Sequence, residues 1–155
     1  MLFRSIYPKF IPTDVIDEFL KNVDWSLEKP FPNKQTNLSF ICPIKNKINK
    51  RAKELGNVIN VELLIYRENA FSHRHIDDYE FTGDYDWVMT GILMMTDPEE
   101  YEGGELLFND LGIKTKCPKG TYITFPAGPN STDYYHSVNK VLSGQRNVLV
   151  YRYTK

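Results

Sequence analysis

Residues 87–125 read WVMTGILMMTDPEEYEGGELLFNDLGIKTKCPKGTYITF, and this stretch decides the fold class. Runs rich in β-branched, aliphatic and aromatic residues span Trp87 to Thr96, Glu105 to Phe108 and Thr121 to Phe125. Turn signals separate them: Asp97-Pro98, Gly103-Gly104 and Asn109-Asp110. Short apolar runs bounded by Gly, Pro, Asn and Asp are the signature of strands and tight turns. The pattern extends outward, to Asn60–Tyr66 upstream and Arg146–Tyr153 downstream. Thr82-Gly83-Asp84, Pro126-Ala127-Gly128-Pro129 and Ser143-Gly144 punctuate the intervals. Nearer the N-terminus the period changes. Val15, Ile16, Phe19, Leu20 and Val23 share one helical face, which predicts a helix over 13–23 with Thr13 or Asp14 as its cap. Ile44, Ile48, Ala52 and Leu55 predict a second helix over 45–56, with Gly56 as its stop and a Lys-rich face left to solvent. Helices first and many short strands after them predict an α+β domain dominated by an antiparallel sandwich or barrel.

The 155 residues suit a single domain, 1–155. The hydrophobic share of 41% and charged share of 25% are those of a soluble globular chain. An aromatic share of 14%, with ten Tyr, favours a β-rich core over a helical bundle. The net charge of -1 and the lack of a basic tract argue against nucleic acid as a partner. No apolar run reaches membrane-spanning length, and Arg4, Pro8, Lys9 and Pro12 interrupt any leader-like segment. Cys42 and Cys117 are widely separated, as expected of free thiols in a reducing cytoplasm.

Three histidines can be weighed one at a time. His75 and Asp77 form a His-x-Asp pair in FSHRHIDD, and on an extended segment both point the same way. His136, in YYHSV, could bring a third ligand from a distant segment. Two imidazoles and one carboxylate on one face of a metal leave the opposite face open, which suits non-haem Fe(II). Taken alone, the same residues fit a polar loop with a surface ion pair, and a histidine packed beside Tyr134 and Tyr135. His73 shares a strand face with His75 and is the rival ligand, though it has no Asp two positions on; it reads better as a loop or substrate-channel residue. Arg146 opens the apolar run Val148-Leu149-Val150. A guanidinium at the start of a buried strand needs an anionic partner unless it reaches water, and its planar fork matches a carboxylate.

Read together, the blocks resemble the prolyl 4-hydroxylase-like branch of the Fe(II)/2-oxoglutarate dioxygenases. The resemblance runs from Tyr66 to Arg146. Its blocks are Tyr66 with Phe71 and His75-Ile76-Asp77; the strand TGILMMT; Glu102-Gly103-Gly104-Glu105-Leu106-Leu107-Phe108; Gly120 to Phe125; and His136-Ser137-Val138 with Gly144 and Arg146. The segment PKFIPTDVIDEFL is similar to the family's opening helix. Two departures stand out. Met94 occupies a position where prolyl hydroxylases often carry a Tyr, and a thioether cannot donate that hydrogen bond. Arg67-Glu68-Asn69-Ala70 replaces a Gly-rich turn.

The resemblance implies a double-stranded β-helix, or jelly roll, with the N-terminal helices packed outside the main sheet. It implies Fe(II) held by His75, Asp77 and His136, with 2-oxoglutarate and O2 as cosubstrates and room for ascorbate as an accessory reductant. Arg146 is expected to grip the distal carboxylate of 2-oxoglutarate and Tyr66 to hydrogen-bond it, while Gly103 and Gly104 allow strands to approach. The implied reaction couples decarboxylation of 2-oxoglutarate to succinate with hydroxylation of a substrate C–H bond, by family default on a peptidyl proline. A small metabolite, another protein side chain or an alkylated nucleobase fits the same chemistry. Arg146 with Arg152 repeats an Arg-x5-Arg pattern of nucleic-acid demethylases, although their first Arg lies farther beyond the distal His. A non-catalytic jelly-roll binding module would lack a ligand or Arg146, and neither is missing; a Zn(II) hydrolase would need a general base, and none stands out. Residues 78–87, DYEFTGDYDW, are expected to form a lid or substrate rim, with Tyr85 or Trp87 against substrate. The bare, short form points to a bacterial or viral source, and so to the cytoplasm, the host's if viral.

Overall fold

The computed structural model describes residues 5–30, 35–38, 45–78 and 87–155. In chain order the elements begin with β1 (Ser5–Tyr7), α1 (Thr13–Lys21), β2 (Lys29–Pro30), β3 (Gln35–Leu38) and α2 (Lys45–Lys53). Next come β4 (Asn57–Tyr66), β5 (Ser72–His75), β6 (Trp87–Met94), β7 (Tyr101–Gly103) and β8 (Leu106–Phe108). The last are β9 (Ile113–Thr115), β10 (Tyr122–Pro126), β11 (His136–Val138), β12 (Val141–Gly144) and β13 (Arg146–Thr154). A seven-stranded sheet runs β1-β10-β6-β13-β4-β3-β2, a four-stranded sheet runs β5-β11-β8-β9, and β12 pairs with β7. The strand pairings are antiparallel. This is the expected jelly roll.

The large sheet is covered on both faces, and strand alternation sorts its side chains between them. Leu63, Ile65, Leu93, Leu149, Tyr151 and Tyr153 pack with Ile16 and Phe19 of α1 and Ile48 and Ala52 of α2. Tyr66, Ile92, Met94, Val148 and Val150 turn the other way, into a core shared with Leu106, Phe108 and Val138 of the small sheet. The helices therefore lie outside the main sheet, and the space between the sheets is left for the site. Among the described residues no helix is long and apolar enough to cross a membrane. Cys117 is a buried free thiol; Cys42 lies outside the described residues.

Some boundaries differ from the expected ones. α1 stops at Lys21, and its N-cap is Pro12 with no side-chain cap, rather than Thr13 or Asp14. The first helical N–H groups have no intrahelical acceptor, and with Pro12 at the cap no side chain supplies one. α2 stops at Lys53 rather than running to Gly56. Ile44 and residues 79–86 of the expected lid lie outside the described residues. Gly103 and Gly104 are where strands close up: both have positive φ, and a Cβ on Gly103 would lie 2.1 Å from the Lys140 carbonyl.

Gly91 in β6 is just as constrained. A Cβ there would lie 1.9 Å from the Tyr122 hydroxyl, which bonds that of Tyr153 at 2.6 Å. Tyr122 is fully buried and cannot swing aside. Gly91→Ala is expected to destabilise the fold by about 2 kcal/mol through overpacking. For a chain this long that lowers Tm by roughly 4–8 °C. An unchanged melting curve would show that the tyrosine pair relaxes freely.

Candidate metal centre

The β5–β11 edge of the small sheet builds the centre. β5 and β11 are adjacent, with His75 directly opposite His136 and their ring centroids 4.4 Å apart. Asp77 follows two residues beyond His75, past the end of β5. One ligand atom from each of His75, Asp77 and His136 lies within 4.8 Å of the others. Asp77 Oδ1 is 3.3 Å from His75 Nε2 and 3.5 Å from His136 Nε2.

Each imidazole is oriented by a carbonyl two residues earlier. His75 Nδ1 donates to the His73 carbonyl at 2.6 Å, and His136 Nδ1 donates to the Tyr134 carbonyl at 3.0 Å. A proton fixed on Nδ1 leaves the Nε2 lone pair free on both rings, the tautomer a metal needs. The Phe125 ring packs edge-on against His136 at 4.9 Å. His136 and Asp77 are buried, whereas the His75 side chain is 43% exposed. The centre therefore opens on the β5 side.

Burial alone would raise the pKa of Asp77, but the Arg152 charge and the two imidazoles outweigh it and hold the carboxyl well below its ordinary range. Burial would likewise depress His75, yet its hydrogen bond to Asp77 and that carboxylate's charge raise it. The outer oxygen, Asp77 Oδ2, accepts hydrogen bonds from Thr90 Oγ1 at 2.7 Å and Arg152 Nη1 at 2.5 Å. Neither Thr90 nor Arg152 belongs to the sequence-based site. A strand signal does point to Arg152, because Arg146, Val148, Val150 and Arg152 alternate onto one face of β13.

Arg146 and Tyr66 are directly opposite each other on β13 and β4, and the guanidinium lies 4.9 Å from the Tyr66 ring centroid. Arg146 is only 3% exposed. Among the described residues no carboxylate forms an ion pair with it. The Tyr101 phenol on β7 lies near enough to feel its charge. Burial raises the pKa of both Tyr66 and Tyr101, so neither phenol neutralises the guanidinium. Met94 lies in the inter-sheet core, and Tyr101 brings Arg146 a phenol from another strand.

A cavity of about 380 Å³ joins the parts, with His75, Asp77, His136, Tyr66, Arg146 and Arg152 on its wall. His73 also lines it but stands outside the ligand cluster, its ring set edge-on against Phe71 at 4.9 Å. Trp87 lies against the Arg152 guanidinium, 5.0 Å from ring centroid to carbon. The donor set is two imidazole nitrogens and one carboxylate oxygen, which fits Fe(II) with open positions. A buried cation with no anionic partner among the described residues, in the same cavity, fits a small dicarboxylate.

Known proteins align with this arrangement. The family described as the 2OG-Fe(II) oxygenase superfamily matches residues 61–154. A PKHD-type hydroxylase of Prochlorococcus marinus is 40% identical over 79 residues, which are 49% of this chain and 33% of the relative. A second, from Gluconacetobacter diazotrophicus, is 35% identical over 60 residues, 37% of this chain and 24% of that one. The chain thus spans about a third or less of the curated relatives it matches. Among solved structures, the viral collagen prolyl hydroxylase of Paramecium Bursaria Chlorella virus-1, in its 2OG complex, superimposes with a TM-score of 0.76 at 20% identity, covering 99% of this chain and 97% of that one. A Trichoplax adhaerens prolyl hydroxylase, in complex with a hypoxia inducible factor peptide fragment, has a TM-score of 0.75 at 11% identity, with coverage of 99% and 84%. A Pseudomonas putida prolyl-4-hydroxylase follows at 0.69 and 16%, with coverage of 100% and 94%. These three likenesses establish the fold.

Proposed function

Since this chain belongs to the 2OG-Fe(II) oxygenase superfamily, we propose that it is an Fe(II)- and 2-oxoglutarate-dependent hydroxylase acting on a peptidyl proline. His75, Asp77 and His136 are its iron ligands. Arg146 holds the distal carboxylate of 2-oxoglutarate, with Tyr66 beside it. The observation that carries the proposal is the pairing, in one cavity, of a two-His, one-Asp cluster with a buried guanidinium that has no carboxylate partner among the described residues. When bound, Fe(II) and 2-oxoglutarate supply O2 activation coupled to formation of succinate.

The chain's own residues position and seal. His73 and Tyr134 carbonyls set the imidazole tautomers. The apolar wall of Leu64, Ile92, Leu106, Val138, Val148 and Val150 keeps water from the cosubstrate's stem. No protein nucleophile is called for. The open, half-exposed His75 side suits a substrate delivered from outside, as an extended peptide would be. Support for proline comes from the structural relatives, which are described as prolyl hydroxylases.

The substrate half is tested with a panel of proline-containing peptides, free proline and small amide-bearing metabolites, each incubated with the chain, Fe(II), 2-oxoglutarate and O2. Peptides are expected to raise succinate release above the substrate-free rate and to gain the mass of one oxygen on proline. If a metabolite alone accelerates succinate release, the proline assignment fails while the cofactor assignment stands.

A further inference from the structure

We propose that Arg152 and Thr90 form a brace behind Asp77 that fixes which carboxylate oxygen faces the metal; the proposal rests on reading His75, Asp77 and His136 as the ligands. The carboxylate is divided. Oδ1 faces the two Nε2 atoms at 3.3 and 3.5 Å. Oδ2 is turned away and takes both the Thr90 hydroxyl and Arg152 Nη1. Arg152 Nη1 also donates to Thr90 Oγ1 at 2.9 Å, so the two donors hold each other in place.

The brace is an expensive choice for mere packing. Arg152 shares its strand face with Val148 and Val150, and an apolar side chain there would continue the wall. Instead the face carries a guanidinium whose side chain is only 12% exposed and whose Nε–H has no hydrogen-bond partner among the described residues. An ion pair buried with a donor left unsatisfied is a poor source of stability. Its geometric effect is specific. A carboxylate free to turn both oxygens to the metal would occupy one of the positions that a bidentate cosubstrate and O2 must share. With Oδ2 held by two donors, Asp77 offers one oxygen. Arg152 is thus a positioning residue that acts through Asp77.

The test uses Arg152→Gln and Thr90→Val in the full chain. The readouts are Mn(II) affinity by calorimetry and the position of the visible band of the anaerobic Fe(II)–2-oxoglutarate complex. Losing a partner that orients a ligand typically weakens metal binding ~10–100-fold, so Arg152→Gln is expected to bind Mn(II) about 10-fold more weakly. Fewer hydrogen bonds on Oδ2 make Asp77 a stronger electron donor, and the band is expected to move to longer wavelength. Thr90→Val should shift it the same way by less, and Arg152→Lys should return it toward its original position. Folded Arg152→Gln with unchanged Mn(II) affinity and an unmoved band would overturn the proposal. Should Arg152→Gln fail to melt cooperatively, an unmoved band in Thr90→Val overturns it just as well. Absence of any band in the unsubstituted chain is a different failure, because it removes the ligand set itself.

Discussion

His136→Ala is expected to lower Fe(II) affinity by more than about 100-fold, since even loss of a group that only orients a ligand costs ~10–100-fold. His136 is central to the centre. It pairs with His75 on one side and with Phe108 on the other, and its Nδ1 is committed to the Tyr134 carbonyl. No other imidazole can take its place, because His73 is engaged with Phe71 and outside the cluster. The substitution also opens space against Phe125, so His136→Gln should be measured in parallel as a better-filling variant. Both are expected to lack the Fe(II)–2-oxoglutarate band while melting as folded proteins. His73→Ala is expected to keep it. A band that survives in His136→Ala but vanishes in His73→Ala would exchange the two residues' roles.

Arg146→Met should separate cosubstrate from metal. Arg146 opens β13, whereas Arg152, which contacts Asp77, lies near its other end. Truncating one partner of a buried charge pair costs ~3–5 kcal/mol, and about 2.7 kcal/mol already corresponds to a 100-fold change in affinity. 2-Oxoglutarate is expected to bind at least about 100-fold more weakly to Arg146→Met, with Mn(II) affinity within about 2-fold of the original. Arg146→Lys should recover part of the loss, since an ammonium keeps the charge but not the two-point fit. Titration calorimetry with 2-oxoglutarate on the Mn(II)-loaded protein reads both quantities. Unchanged 2-oxoglutarate affinity would take Arg146 out of the cosubstrate site.

How far this molecule can be read from its sequence depends on element length. β4 and β13 are long and rich in β-branched, aliphatic and aromatic residues, NVINVELLIY and RNVLVYRYT, so they announce themselves. β5, β9 and β11 are short and carry polar residues: SHRH, IKT and HSV. Such strands have little apolar signal of their own and exist because a neighbour completes their hydrogen bonding. The iron-ligand candidates lie on or just beyond two of these strands, so motif spacing exposes them where propensity does not. The converse holds for Arg152. It sits in the most legible strand, two residues beyond Val150, yet its partner Asp77 is 75 positions earlier in the chain. Only the fold brings such a pair together. Thr90 is hidden for a different reason: in VMTGILM it reads as one more β-branched strand residue. Of Tyr85 and Trp87, the two residues expected against substrate, Trp87 lies beside the Arg152 guanidinium and Tyr85 is outside the described residues.

The most direct measurement is the visible spectrum of the unsubstituted chain, prepared free of metal and mixed under anaerobic conditions first with Fe(II) and then with 2-oxoglutarate. The expected result is a metal-to-ligand charge-transfer band that appears only when both are present and saturates at one of each per chain. A folded protein that binds iron yet shows no band on adding 2-oxoglutarate would contradict the assignment of this cavity to Fe(II) and 2-oxoglutarate.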